Sequence, residues 1–340
     1  MNAPSSAPVP QTVPDTVSDI APATVPVVDA PAAVRLADWG VIRARGEDAA
    51  SFLHGQLTQD TQSLAIGQAR LAGYCSPKGR LLASFVIWRA APDEILLACS
   101  ADVLAPTLKR LSMFVLRAKC RLSDASSELA LWGLAAPASA GTPAALPGLA
   151  SPAAAFGTHI AAGATVIRLP DAAGCARALL AAPADAVPAV PATLPKPVWE
   201  WLEVQSAVPR IVARTVDAFV PQMVNLELVG GVHFQKGCYP GQEVVARSQY
   251  RGTVKRRMYL VEGDAATEAG TEVWAAGDAS QPAGQVVLAA SIDRAGAARH
   301  AALVEVKRAP AETGELRLGA ADGPRLRRRP LPYELPSEAS

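Results

Sequence analysis

The chain has 340 residues, with 32 Lys+Arg against 31 Asp+Glu and a formal net charge of +1, long enough for more than one module. Half of the residues are hydrophobic but only 5% are aromatic, and no stretch of about 18 apolar residues runs free of charge and proline, which excludes a helical membrane span. The balanced charge argues against a general nucleic-acid binder, which carries a marked basic excess.

Taken in chain order, the segment Met1–Ala33 holds seven prolines, three aspartates and neither Lys nor Arg. That composition excludes a basic secretory leader and an Arg-rich presequence, so a cytoplasmic protein with a disordered tail is expected. Order is expected from Val34. Trp39, Val41 and Ile42 read as a strand, Gly46 as a turn, and Asp48–Leu57 as an amphipathic helix. Leu71–Tyr74 and Leu81–Trp88 flank Cys75-Ser76-Pro77-Lys78-Gly79-Arg80, the composition of a tight reversal between two strands. Ile95–Cys99 reads as a strand, and Val103–Leu116 places Leu104, Leu108, Leu111 and Val115 on one helical face. Such interleaving indicates an α+β sheet domain.

The stretch from Ala135 to Pro197 is rich in Ala and Pro, with Thr165–Leu169 reading as a strand and Cys175–Ala181 as a helix. Beyond Tyr250 come short strands with Gly-bearing turns: Met258–Glu262, Glu272–Trp274, Gly284–Leu288, Ala301–Val306 and Leu316–Leu318. A small antiparallel barrel is the expectation. The resulting division is a tail over 1–33, a first α+β segment over 34–135, a second over 136–250, and the barrel over 251–335.

The cysteines Cys75, Cys99, Cys120, Cys175 and Cys238 are far apart and form no CxxC pair, so neither a disulfide framework nor a zinc ribbon is suggested. Phosphate-cradling glycine motifs are absent, and His54, His159, His233 and His300 are too scattered to predict a metal site. Chemistry concentrates in Lys236-Gly237-Cys238-Tyr239-Pro240-Gly241-Gln242-Glu243, followed by a short helix over Glu243–Arg247. Gly237 and Gly241 leave the backbone free to take positive φ on both sides of the thiol. Lys236, if near in space, favours a thiolate at Cys238. Cys99 and Cys120 lie in apolar contexts expected to be strands that bury them.

This run resembles the K-G-C-[FY]-x-G-Q-E signature of the YgfZ folate-binding family, relatives of the glycine-cleavage T-protein. Leu36-Ala37-Asp38-Trp39 with Gly46 and Asp48, Gly55–Asp60, Pro221-Gln222 with Asn225-Leu226, and Tyr250-Arg251-Gly252 with Lys255-Arg256 resemble further family segments. The resemblance implies a multi-domain, aminomethyltransferase-like α+β ring closed by the C-terminal barrel. It also implies a tetrahydrofolate site and a role in maintaining iron–sulfur enzymes, including those that modify tRNA. Trp39 and Trp199 match its folate-lining tryptophans, with Trp201 close enough to confuse the register. Gly237, Tyr239, Gly241, Gln242 and Glu243 would join the folate site, and Cys238 with Lys236 would supply the functional thiol. In this chain Gln205 stands where relatives often place a carboxylate, and Ala207-Val208-Pro209 replaces their Ala-Gly before proline.

An alternative is a folate-dependent aminomethyl or one-carbon transferase. In such enzymes a carboxylate of the first-domain hairpin meets the folate, yet Leu71–Ala91 contains no Asp or Glu. That absence, with no histidine expected near the signature, argues against classical turnover. The basic runs Arg325, Arg327–Arg329 and Lys255–Arg257 read as solvated strand ends, because no aromatic residue interleaves the arginines. The expected partners are therefore a folate and iron–sulfur client enzymes or assembly factors, with direct nucleic-acid binding and membranes set aside.

Overall fold

The computed structural model describes residues 28–140, 148–250, 254–294 and 296–336. In chain order, β1 (Ala32–Arg35) and β2 (Trp39–Arg45) precede the short α1 (Ala49–His54). The hairpin strands β3 (Ala69–Cys75) and β4 (Leu81–Ala91) follow, then β5 (Glu94–Ser100), α2 (Ala101–Ser112), β6 (Arg121–Asp124) and β7 (Leu129–Pro137). Next come β8 (Thr158–Ala161), β9 (Ala164–Ala172), β10 (Cys175–Pro183), β11 (Ala192–Thr193), α3 (Lys196–Gln205) and α4 (Gln242–Tyr250). The last region holds β12 (Arg256–Gly263), β13 (Glu272–Ala275), β14 (Gly284–Arg294), β15 (Ala297–Lys307), α5 (Arg308–Thr313), β16 (Leu316–Leu318) and β17 (Arg325–Arg329).

Two sheets and a barrel result. One sheet runs β3-β4-β5-β2-β6, the second β11-β1-β7-β10-β9-β8, and β12-β15-β14-β13-β16-β17 closes as the antiparallel barrel expected from the sequence. The first sheet buries Leu71, Val86, Trp88 and Leu96 against Leu131, Ile167, Leu179 and Ala181 of the second, with Trp199 and Leu202 of α3 in the same core. Its other face, carrying Tyr74, Phe85, Ile87 and Leu97, is covered by Phe52 and Leu53 of α1 and Leu104 and Leu111 of α2. In the barrel the period-two alternation sends Tyr259 and Val261 inward, while Met258 and Leu260 face outward onto the core that contains Trp201 and Val204.

Several boundaries differ from the sequence reading. The tail was expected to reach residue 33, but β1 begins at Ala32, paired with both β7 and β11, and Val28 is already buried. The division at 135/136 cuts through β7, because a strand from the first segment is needed to complete the second sheet. Cys175–Ala181 is not a helix. Alanine favours helix locally, but β10 lies between β7 and β9 and is buried along nearly its whole length, so pairing overrides propensity. The α2 helix ends at Ser112 rather than Leu116, and Cys120 lies in the loop beyond it, half-buried, not in a strand. The expected matches at Arg251 and Gly252 lie outside the described residues.

Gly133 of β7 lies under the indole of Trp199: a Cβ there would sit 2.5 Å from the ring. Gly133→Ala is therefore expected to cost about 1–3 kcal/mol through overpacking. Urea unfolding checks this, and an unchanged midpoint would mean the indole moves freely.

Candidate functional site

Between the two sheets and α3 lies a cleft of about 630 Å³ including its solvent mouth. Leu71, Ser84 and Val86 come from the first sheet, Leu169, Arg177 and Leu179 from the second, and Trp39, Trp199, Glu203 and Arg210 complete the wall. Pro197 opens α3 within its first two positions, where its missing N–H costs nothing. One helical turn then places Trp199 and Glu203 on the same face. Trp201 points the other way, its ring 5.5 Å from the Arg299 guanidinium, so Trp199 and not Trp201 lines the cleft.

Each cleft tryptophan carries an arginine. The Arg210 guanidinium lies 5.0 Å from the Trp39 ring centre and that of Arg177 lies 5.0 Å from Trp199. Arg210 contacts Glu203 at 3.4 Å, Asp38 at 3.3 Å and the Ser100 hydroxyl at 3.3 Å, and Lys196 joins Asp38 at 2.9 Å. Burial pushes the Glu203 carboxyl up, with Arg210 and Arg177 pulling against it. Burial would raise Asp38 too, but Arg210 and Lys196 hold it below its usual range. Arg177 is buried and, among the described residues, donates only to the Leu202 carbonyl; burial lowers it to about 10. Its Nε, together with Nε1 of Trp39 and Trp199, is buried without a hydrogen-bond partner among the described residues. A planar ligand with polar edges suits such a site: flat apolar walls with unsatisfied donors and a carboxylate around them.

Glu203 escaped the sequence reading, which looked for the carboxylate at position 205. Gln205 does not line the cleft. The signal was available in the i, i+4 spacing from Trp199, once α3 is taken as a helix.

The signature lies elsewhere. Gly237, Cys238, Tyr239, Gly241, Gln242 and Glu243 do not line the cleft; Gly241 and the neighbouring Val244 pack on the turn of the β3–β4 hairpin. Gly241 has φ +78°, and a Cβ on it would lie 2.4 Å from the Ser76 carbonyl. Gly79 has φ +71°, and its Cβ would meet Val244 at 2.8 Å. Gly237, by contrast, is not in the positive-φ region, so the expected freedom on both sides of the thiol exists on one side only.

Lys236 is buried and donates to the carbonyls of His54 at 2.6 Å and Gly237 at 3.1 Å, with its ammonium 4.6 Å from the Tyr239 ring centre. Burial lowers it to about 8, against the attraction of Asp60 and Cys238. His54 does reach the signature: its Nε2 would be 3.5 Å from a Cβ on Gly237, and its Nδ1 pairs with Asp60 at 2.9 Å. Burial works against ionisation of Asp60, but bonds from Ser63, Gln62 and His54 hold it at about 2. Cys238 is exposed, whereas Cys75 and Cys99 are buried and pushed up to about 12 by burial; burial likewise raises Cys120, to about 11. Among the described residues no group of His, Cys, Asp and Glu could hold a metal ion.

No family model matches the chain. It is 33% identical to the tRNA-modifying protein YgfZ of Vibrio vulnificus (strain CMCP6) over 319 residues, which cover 90% of this chain and 94% of the relative. The chain belongs to the YgfZ family. The tRNA-modifying protein YgfZ of Photobacterium profundum is 32% identical over 246 residues, 69% of this chain and 70% of its own. Among solved structures, the glycine cleavage system aminomethyltransferase T from Bartonella henselae superposes with a TM-score of 0.65 at 15% identity, covering 88% of this chain and 84% of that one. The aminomethyltransferase-like fold is thereby shown. None of the helices described is long and apolar enough to cross a membrane.

Two outcomes follow from the signature's geometry. In the native protein Cys238 is expected to be alkylated well before Cys75 and Cys99, read by mass spectrometry after a short iodoacetamide pulse; equal rates would mean the loop is closed over the thiol. Lys236 binds fewer protons folded than unfolded between about pH 8 and pH 10.5, so its contribution to stability rises with pH across that window. Denaturation of wild type and Lys236→Met at several pH values should therefore show the difference shifting in favour of wild type as pH rises. A constant difference would place the ammonium in water.

Proposed function

We propose that this YgfZ-family protein is a tetrahydrofolate-binding accessory factor of tRNA modification, acting in the cytoplasm in support of iron–sulfur enzymes. The observation that carries the folate assignment is the pair of arginine-capped tryptophans, Trp39 with Arg210 and Trp199 with Arg177, around a cleft that also holds the buried Glu203. The residues fit the group: indole faces suit the fused ring, Glu203 suits its amino and ring N–H donors, and the unpartnered Nε–H of Arg177 suits a carbonyl or carboxylate. When bound, a reduced folate supplies an electron-rich ring that carries one-carbon units. The chain's own contribution is to bind and orient it: Arg210 keeps Glu203 oriented, and Leu71, Val86 and Leu179 exclude water from the ring.

In this reading Cys238 serves a partner and not the folate, since it sits outside the cleft on a glycine-fixed, solvent-facing loop. An exposed thiol fits a soft-metal or nucleophilic role toward a client enzyme. Transfer of a one-carbon unit by this chain alone is not proposed, because the hairpin Leu71–Ala91 offers no carboxylate.

Tetrahydrofolate titrated into the purified protein is expected to quench tryptophan fluorescence and raise Tm, with Glu203→Gln weakening binding about tenfold, or ~1.4 kcal/mol. No change in fluorescence or Tm at millimolar ligand would sink the folate reading. In cells lacking the protein, Cys238→Ala is expected to fold but not to restore the activity of iron–sulfur tRNA-modifying enzymes.

A further inference from the structure

The connection between α2 and β6 takes no part in either site. From Lys109 to Arg121 it carries Lys109, Arg110, Arg117, Lys119 and Arg121 and no carboxylate. Three large apolar side chains in it face solvent: Met113 is 59% exposed, Phe114 42% and Leu116 87%. Leu116 also sits at φ +41°, a region that a bulky non-glycine residue occupies only at a cost.

The charges next to it are arranged against folding economy. β6 is an edge strand, and its Arg121 stands directly opposite Arg45 of β2, a like-charge pairing that destabilises an antiparallel ladder. Asp93 reaches Arg45 only at 3.7 Å, and Glu47 pairs with Lys119. Lys109, Arg117 and Arg121 form no ion pair among the described residues. The arginines of β17 are already engaged: Arg325 with Glu315 at 2.9 Å, Arg327 with Asp264 at 2.6 Å, Arg329 with Glu262 at 2.7 Å, and Arg328 against the Tyr259 ring. Nearby Arg257 is buried and paired with Glu227, a correction to its reading as a solvated cation.

We propose that the α2–β6 connection is an RNA-docking surface, with Arg45, Lys109, Arg117 and Arg121 against phosphates and Phe114 stacking on an unpaired base. An exposed ring among cations that are unpaired among the described residues (Lys109, Arg117, Arg121) or only distantly paired (Arg45) is the arrangement that single-stranded and loop regions of RNA exploit. A phosphate backbone also relieves the Arg45–Arg121 apposition, which an apolar partner does not. The inference goes beyond the folate reading and does not rest on it, since none of these residues lines the cleft.

Binding of unfractionated tRNA to the full chain, measured by filter retention from about 50 to 200 mM salt, tests it. Arg117→Gln combined with Arg121→Gln is expected to weaken binding at least tenfold and to reduce the log–log salt slope by about 2. Phe114→Ala should weaken binding about fivefold or more with the slope unchanged. Arg327→Gln on β17 should bind as wild type, and matching thermal melts establish that all variants fold. Tetrahydrofolate titrations of the same variants should match wild type, so failure of folate binding and failure of RNA binding are read separately. Absence of salt-dependent tRNA binding, equal loss in Arg327→Gln, or competition by polyglutamate as effective as by tRNA would overturn the proposal, the last in favour of an acidic protein partner.

Discussion

The contact between Trp199 and Gly133 ties this structure together. An indole can lie flat on a strand only where that strand presents no side chain, and β7 presents Gly133 at that point. Arg177, two registers along on the neighbouring β10, then stacks against the indole and donates to the Leu202 carbonyl, fastening α3 to the second sheet. Because a helix turns about 100° per residue, anchoring Trp199 on the sheet fixes where the rest of α3 points. Trp201 and Val204 fall toward the outer face of the barrel, while Glu203 falls into the cleft. One helix thus sets the second sheet, the barrel and the cleft in relation to one another.

A second constraint acts at the β3–β4 turn. Gly79 and Gly241 are in the left-handed region and leave no room for a Cβ against one another's segments, so the signature loop and the hairpin turn approach backbone to backbone. Ser76 adds a hydroxyl bond to Asp217 at 2.8 Å, and Arg80 donates to the Ala218 carbonyl. The same hairpin contributes Ser84 and Val86 to the cleft, so cleft and thiol share one rigid element. At about 3.3 Å per residue, Leu81 and Ser84 are roughly 10 Å apart along β4. β4 thus runs from the turn that meets Gly241 to the wall of the cleft, without the signature loop lining the cleft.

Much of this was legible in the sequence, and the losses have physical causes. The hairpin, the barrel strands and the signature helix carry local signals: alternation, Gly-Pro turns and an acidic first turn. Position 199 was legible through family resemblance. What was lost was long-range. β10 is an alanine-rich run whose identity as a strand comes from pairing with β7 and β9, not from its own composition. His54 lies far from the signature in sequence and reaches it only because Lys236 spans to the end of α1. That the signature residues lie outside the cleft lining was likewise not legible, since a motif's density says nothing of which surface it packs on.

The charges of the cleft are the last link. Glu203 and Arg177 are both buried, and burying charges is costly unless they are paired. Arg210 meets Glu203 only at 3.4 Å, a loose contact for a guanidinium and carboxylate, while dividing itself among Asp38 and Ser100 as well. Arg177 has a carbonyl and an indole for company and no carboxylate in contact. A fold built for stability alone would complete these pairs or replace them by apolar groups. Keeping one loosely paired carboxylate and one carboxylate-free guanidinium in the lining of an apolar cleft leaves polar capacity that a ligand with both donors and acceptors along its edge would satisfy. A purely apolar guest would bury these groups without partners, whereas one with polar edges would supply them.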